Sequence, residues 1–128
     1  QPGELDNCLA NGRTIAVGVN NGTTTLGFLG SATDGAASGT VTINFTDGST
    51  QTFTLGFTDW ANGTTSFGNQ IVATLSYRNT PSGKQTTRVY IFLAQVTLTT
   101  PPGATVKNVT LPSNVSGGQL HVFAVATK

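Results

Sequence analysis

Apolar residues recur at every second position along much of this chain, most clearly through residues 40–60, TVTINFTDGSTQTFTLGFTDW. Val41, Ile43 and Phe45 share one face of the first arm, and Phe53, Leu55 and Phe57 share one face of the second, which is the period of a half-buried strand. The outward positions are almost all threonine. Asp47-Gly48 between the arms predicts a hairpin, because a tight turn needs positive φ and glycine supplies it without steric cost. The interval from Phe45 to Phe53 also suits a longer turn rich in Ser and Thr.

The rest of the chain repeats this pattern with turns between. Residues 1–12 are turn-like and end in Asn-Gly, and residues 14–19 alternate with Ile15, Val17 and Val19 on one face. Residues 25–29 read as a strand, residues 30–38 as a small, polar loop, and residues 61–69 as another loop. Ile71, Ala73 and Leu75 then mark a strand leading to Tyr77, and the Pro81 to Gly83 stretch predicts a reversal. Residues 85–97 are apolar on both faces in the middle, so that strand is expected to be central or to meet a partner. Residues 106–111 and 119–126 give the last two strands, with a proline and a Gly-Gly pair between them. No window has a helical period. About eight short strands predict an all-β fold, a two-sheet antiparallel β-sandwich of jelly-roll or immunoglobulin-like type, with residues 1–128 as a single domain.

Composition narrows the function. Charged residues make up 9% of the chain, six Lys plus Arg against five Asp plus Glu, for a net charge of +1. That lacks the basic footprint of a protein that grips nucleic acid or an anionic membrane. There is no apolar run of about 18 residues and hence no membrane-spanning helix. The absence of methionine and the start at Gln1 suit a processed, secreted chain. Asn-x-Ser/Thr sequons at Asn21, Asn62, Asn108 and Asn114 suit the same compartment as glycosylation sites, with a fifth at Asn44 on the outward face of a strand.

Candidate chemistry is sparse. His121 is the one histidine, flanked by Leu120 and Val122, and reads as a surface or hydrogen-bonded residue on a sheet. The acids are Glu4, Asp6, Asp34, Asp47 and Asp59, of which Asp34 and Asp47 precede turn glycines and Asp6 and Asp59 suit backbone anchoring. No paired carboxylates, triad or metal cluster stands out, so the chain reads as non-enzymatic with no cofactor, a structural calcium being the one metal role considered. Cys8 has no partner in the sequence for an intrachain disulfide and reads as a small buried residue. Aromatic side chains outside the inward pattern are Trp60, Phe67, Tyr77 and Tyr90. Flat rings stack on the apolar faces of sugars, so Trp60 and Tyr77, with Arg78 and Asp59 beside them, are the candidate ligand-binding residues. Trp60 also suits capping of the core, and Arg78 suits an ion pair with Asp59.

An ordered set of segments carries a resemblance: Asp6-Asn7, LGFLGSA from Leu26, the Asp47-Gly48 hairpin ending in Asp59-Trp60, Tyr77-Arg78-Asn79, VTLP from Val109 and LHVFA from Leu120. Together they resemble the accessory β-sandwich domain of secreted bacterial glycoside hydrolases of the family-92 α-mannosidase type and of some secreted peptidases. The resemblance implies a non-catalytic, carbohydrate-binding-module-like role with a polysaccharide or glycan as partner. It also implies a further strand ahead of Asp6-Asn7. An open strand position would expose backbone groups that another copy of the chain could pair with, which is the alternative expectation: a self-assembling extracellular subunit of pilus or filament type.

Overall fold

The computed structural model describes residues 7–18 and 22–128, and these form strands and turns with no helix. Glu4, Asp6, Val19 and the Asn21 sequon lie outside the described residues. The strands are β1 (Cys8–Leu9), β2 (Thr14–Ala16), β3 (Thr25–Phe45), β4 (Thr50–Phe57), β5 (Gln70–Leu75), β6 (Arg78–Thr80), β7 (Gly83–Gln85), β8 (Val89–Thr97), β9 (Val106–Thr110) and β10 (Val115–Thr127). Eight of them make one curled antiparallel sheet, and β6 and β7 make a separate two-stranded hairpin.

β3 is the strand on which the others are registered. Its first stretch lies between β10 and β8, and its second between β4 and β9. The hairpin expected at Asp47-Gly48 is the β3–β4 connection. Asn44 faces Thr50, Gly48 has φ 87°, and the Asp47 Oδ1 accepts from the Ser49 amide at 2.9 Å. The turn is thus the longer one.

Residues 30–38, expected as a loop, instead continue β3 without a break. At the start of this stretch the small side chains reflect close approach. A Cβ at Gly30 would collide with the His121 carbonyl and the Phe57 ring, and Ser31 and Ala32 are buried beside it. The inward positions change parity across this region: Leu26, Phe28 and Ala32 are buried before it, then Ala37, Val41, Ile43 and Phe45 after it. The change happens at Asp34-Gly35, with φ 61° and 109°, where residues 34–36 stand opposite Gly118 alone. Such a bulge bends a strand and turns its side chains to a new direction.

β10 likewise begins earlier than expected and runs through Gly117-Gly118. A Cβ on either glycine would strike the backbone of residues 33–36, so the pair lets two strands bend together at one corner. β8 is central, between β3 and β5, as its two apolar faces suggested. β5 is an edge strand paired with β8 alone, and Ile71, Val72 and Leu75 stay 39%, 48% and 46% exposed, more open than a half-buried strand would be. Side chains from both stretches of β3 belong to one buried cluster with Leu55, Phe57, Phe92, Val109 and Leu120. Each fully buried Leu or Phe there stabilises the fold by roughly 1.5–3 kcal/mol. Among the described residues no helix is long and apolar enough to cross a membrane.

Candidate functional site

The segment after β4 places Trp60. Ala32 donates its amide to the Thr58 carbonyl at 3.1 Å, the Trp60 amide donates to the Ala32 carbonyl at 2.8 Å, and the Tyr90 amide donates to the Trp60 carbonyl at 2.8 Å. Residues 58–60 therefore fill the gap between β4 and β8 along β3, with Ala32 and Asp59 forming a parallel bridge. Asp59 fixes this arrangement with both carboxylate oxygens. Oδ2 accepts from the Gly35 amide at 2.8 Å, at the β3 corner, and Oδ1 accepts from the Ala61 amide at 2.9 Å.

Trp60 and Arg78 meet. The guanidinium carbon lies 5.1 Å from the indole centroid, and Nε donates to Gln85 Oε1 at 2.9 Å across the β6–β7 hairpin. Arg78 is thus engaged with Trp60 and Gln85, and Asp59 with backbone amides, in place of the Arg78–Asp59 pair considered from sequence. Tyr77 is 43% exposed, with the Lys84 ammonium 4.0 Å from its ring centroid. Trp60, Tyr77, Arg78 and Tyr90 line one concave basin of about 620 Å³. Its apolar lining comes from Leu75, Val89, Ile91 and Phe123, and its polar groups include Asn7, Ser31 and Asn79. Three of the four candidate residues, Trp60, Tyr77 and Arg78, converge, while Asp59 acts from behind. Tyr90 joins them, and its position outside the inward pattern was the signal for it. Phe67 does not line the basin.

His121 is a tie between elements. Its Nδ1 faces the Asn7 Oδ1 at 2.9 Å and its Nε2 faces the Thr33 Oγ1 at 2.9 Å. Since Asn7 offers an oxygen, the neutral ring donates from Nδ1 and accepts from the Thr33 hydroxyl at Nε2. Burial holds its pKa below the ordinary value, while Asp34 acts in the opposite direction. The hydroxyl–imidazole–amide order is that of a relay, but neither Thr33 nor His121 lines the basin. The half-buried Cys8 is a free thiol in β1, which pairs with β10 of its own chain. Among the described residues, no three His, Cys, Asp or Glu side chains gather where they could hold a metal ion.

The sequons sit differently from one another. Asn62 and Asn114 are exposed. Asn108 is half-buried, and its Oδ1 accepts from the Asn44 Nδ2 at 2.7 Å across β9 and β3. Compared with protein-family models and with curated proteins, the chain matches none.

Proposed function

We propose that this chain is a non-catalytic, extracellular carbohydrate-binding module, its curled sheet closing as a two-layer β-sandwich that carries a glycan site at one rim. The observation that supports this most is the convergence of Trp60, Tyr77 and Tyr90 with Arg78 on one basin of about 620 Å³. A sugar ring has apolar C–H faces and a rim of hydroxyls, so it needs flat aromatic surface beside a few placed donors and acceptors. Tyr77 and Arg78 stand where such a ring would be held, and Asn79 offers an amide to its hydroxyls. The Arg78 guanidinium, a donor only, suits the hydroxyl oxygens of a glycan. The resemblance to accessory domains of glycoside hydrolases supports the same reading. Intrinsic fluorescence tests it directly, since Trp60 is the one tryptophan. Titration with soluble neutral polysaccharides is expected to shift its emission, and Trp60→Ala is expected to weaken binding by roughly tenfold as measured by affinity electrophoresis. An unchanged spectrum together with unretarded migration on all such glycans overturns the reading.

A second reading, self-assembly by strand addition, is supported by β5. Among the described residues its outer edge carries no strand, and Ile71, Val72 and Leu75 are exposed on it. A register shift between Ile71 and Ala73 interrupts its pairing with β8, a feature that blunts edges against such addition. Light scattering across a range of concentrations decides between them: a strict monomer ends this second reading.

A further inference from the structure

Phe67 is the exposed aromatic residue that the basin leaves out. It is 52% exposed and holds φ at 56°, a left-handed conformation that a phenylalanine rarely adopts. Its backbone is pinned on both sides. The Ser66 amide donates to Thr58 Oγ1 at 2.9 Å, and the Asn69 amide donates to the Ser66 carbonyl at 3.0 Å. Asn69 is itself 5% exposed and is bonded to the end of β4: Nδ2 donates to the Gly56 carbonyl at 2.9 Å and Oδ1 accepts from the Thr58 amide at 3.1 Å. The Phe67 ring lies directly on Gly56, where any Cβ would collide with it. One face of the ring is thus held against backbone, and the side chain remains half open to solvent.

Around it is a groove of about 320 Å³ between β4 and β8, lined also by Phe53, Thr54, Gln70, Leu93 and Gln95. Among the described residues no charged side chain lines it, and its polar side chains are two amides and a hydroxyl. We infer that this groove is a second glycan subsite, with Phe67 as a preorganised stacking platform for one pyranose ring of a neutral polysaccharide and Gln70, Gln95 and Thr54 as partners for its hydroxyls. The inference rests on the carbohydrate-binding reading above and adds a second point of attachment to it. The lack of charge fits a neutral hydroxylated ligand over an acidic or basic one. A ring fixed before binding loses little freedom when the sugar arrives, which favours affinity. The left-handed backbone at Phe67 is the kind of local strain that gathers at ligand-binding positions.

Three variants test this by affinity electrophoresis on soluble neutral polysaccharides, with thermal denaturation run in parallel. Phe67→Asn removes the ring with a residue that tolerates positive φ, Phe67→Trp keeps a platform, and Trp60→Ala reports on the basin alone. The expected result is a loss of roughly three- to tenfold in affinity for Phe67→Asn at unchanged or higher Tm, with Phe67→Trp close to wild type. If wild type binds and Trp60→Ala loses affinity while Phe67→Asn does not, the second subsite is overturned and the basin stands. If wild type binds no glycan, the carbohydrate reading itself fails and takes the subsite with it. If Phe67→Asn loses affinity only in step with a fall in Tm, and Phe67→Trp does too, the ring is a cover for the end of β4 and the inference is overturned.

Discussion

At Asn69 one side chain does the work of a missing strand. Among the described residues no strand pairs with the outer edge of β4, and the Asn69 side chain serves the Gly56 carbonyl and the Thr58 amide there. Removing it leaves buried backbone groups unpaired, and Asn69→Ala is expected to lower stability by about 1–3 kcal/mol in urea denaturation. Gln51 acts in a similar way, with Nε2 donating to the Thr97 carbonyl at 2.9 Å and Oε1 accepting from the Thr99 amide at 2.7 Å. His121 makes a different prediction, about pH. Burial lowers its folded-state pKa below the ordinary value of 6.5, so the fold favours the neutral ring. Its contribution is complete above that value and is lost as pH falls through it, because the unfolded chain then binds the proton more readily. Wild type is expected to lose stability between pH 7 and pH 5, where carboxylates are still ionised, and His121→Gln to lose less; Tm measured across that range checks it. Phe67, by contrast, holds a conformation that costs about 1–3 kcal/mol. The hydrogen-bonded place of His121 on a sheet was readable from sequence, but its partners were not, and neither were the roles of Asn69 and Gln51, since an amide gives no sign of the backbone it will meet.

Among the elements, the alternation of apolar residues gave the hairpin of β3 and β4 and the central place of β8. It failed at residues 30–38, where a continuous strand was expected to break. The reason is physical: the run Gly30, Ser31, Ala32 looks polar and flexible, yet Gly30 is bare because the His121 carbonyl and the Phe57 ring lie against it, and Ser31 and Ala32 are buried. The parity change at Asp34-Gly35 then hides the period that would have joined the two halves. At the site, the aromatic residues outside the inward pattern pointed to the basin, whereas the anchoring of Asp59 to the distant Gly35 amide emerges only from the folded corner. That anchor couples two elements. Asp59→Ala frees the Gly35 and Ala61 amides, and it is expected to destabilise the protein by about 1–2 kcal/mol and to broaden the Trp60 emission, as fluorescence during denaturation would report.

Across the whole molecule, hydroxyls and amides take the place usually held by charge. Thr14, Thr110, Thr42 and Thr52 stand opposite one another across β2, β9, β3 and β4, and Thr14 and Thr110 lie within 3.2 Å of each other. With 9% charged residues, solubility depends on this polar cover more than on net charge. The apolar side chains of β5, Ile71, Val72 and Leu75, are exposed in spite of that cover. Val72→Lys is expected to leave a monomer unchanged and to abolish any concentration-dependent association seen by light scattering.

β3 is bonded on both sides along most of its length, and one of those neighbours, β10, lies at the other end of the chain. A protein built this way cannot finish its middle until distant segments have found it, so refolding after dilution from denaturant belongs in the range of milliseconds to seconds rather than microseconds. The amides of Val41 and Ile43 would then trade hydrogen for deuterium last, only when the entire molecule opens, while those of β5 would exchange early.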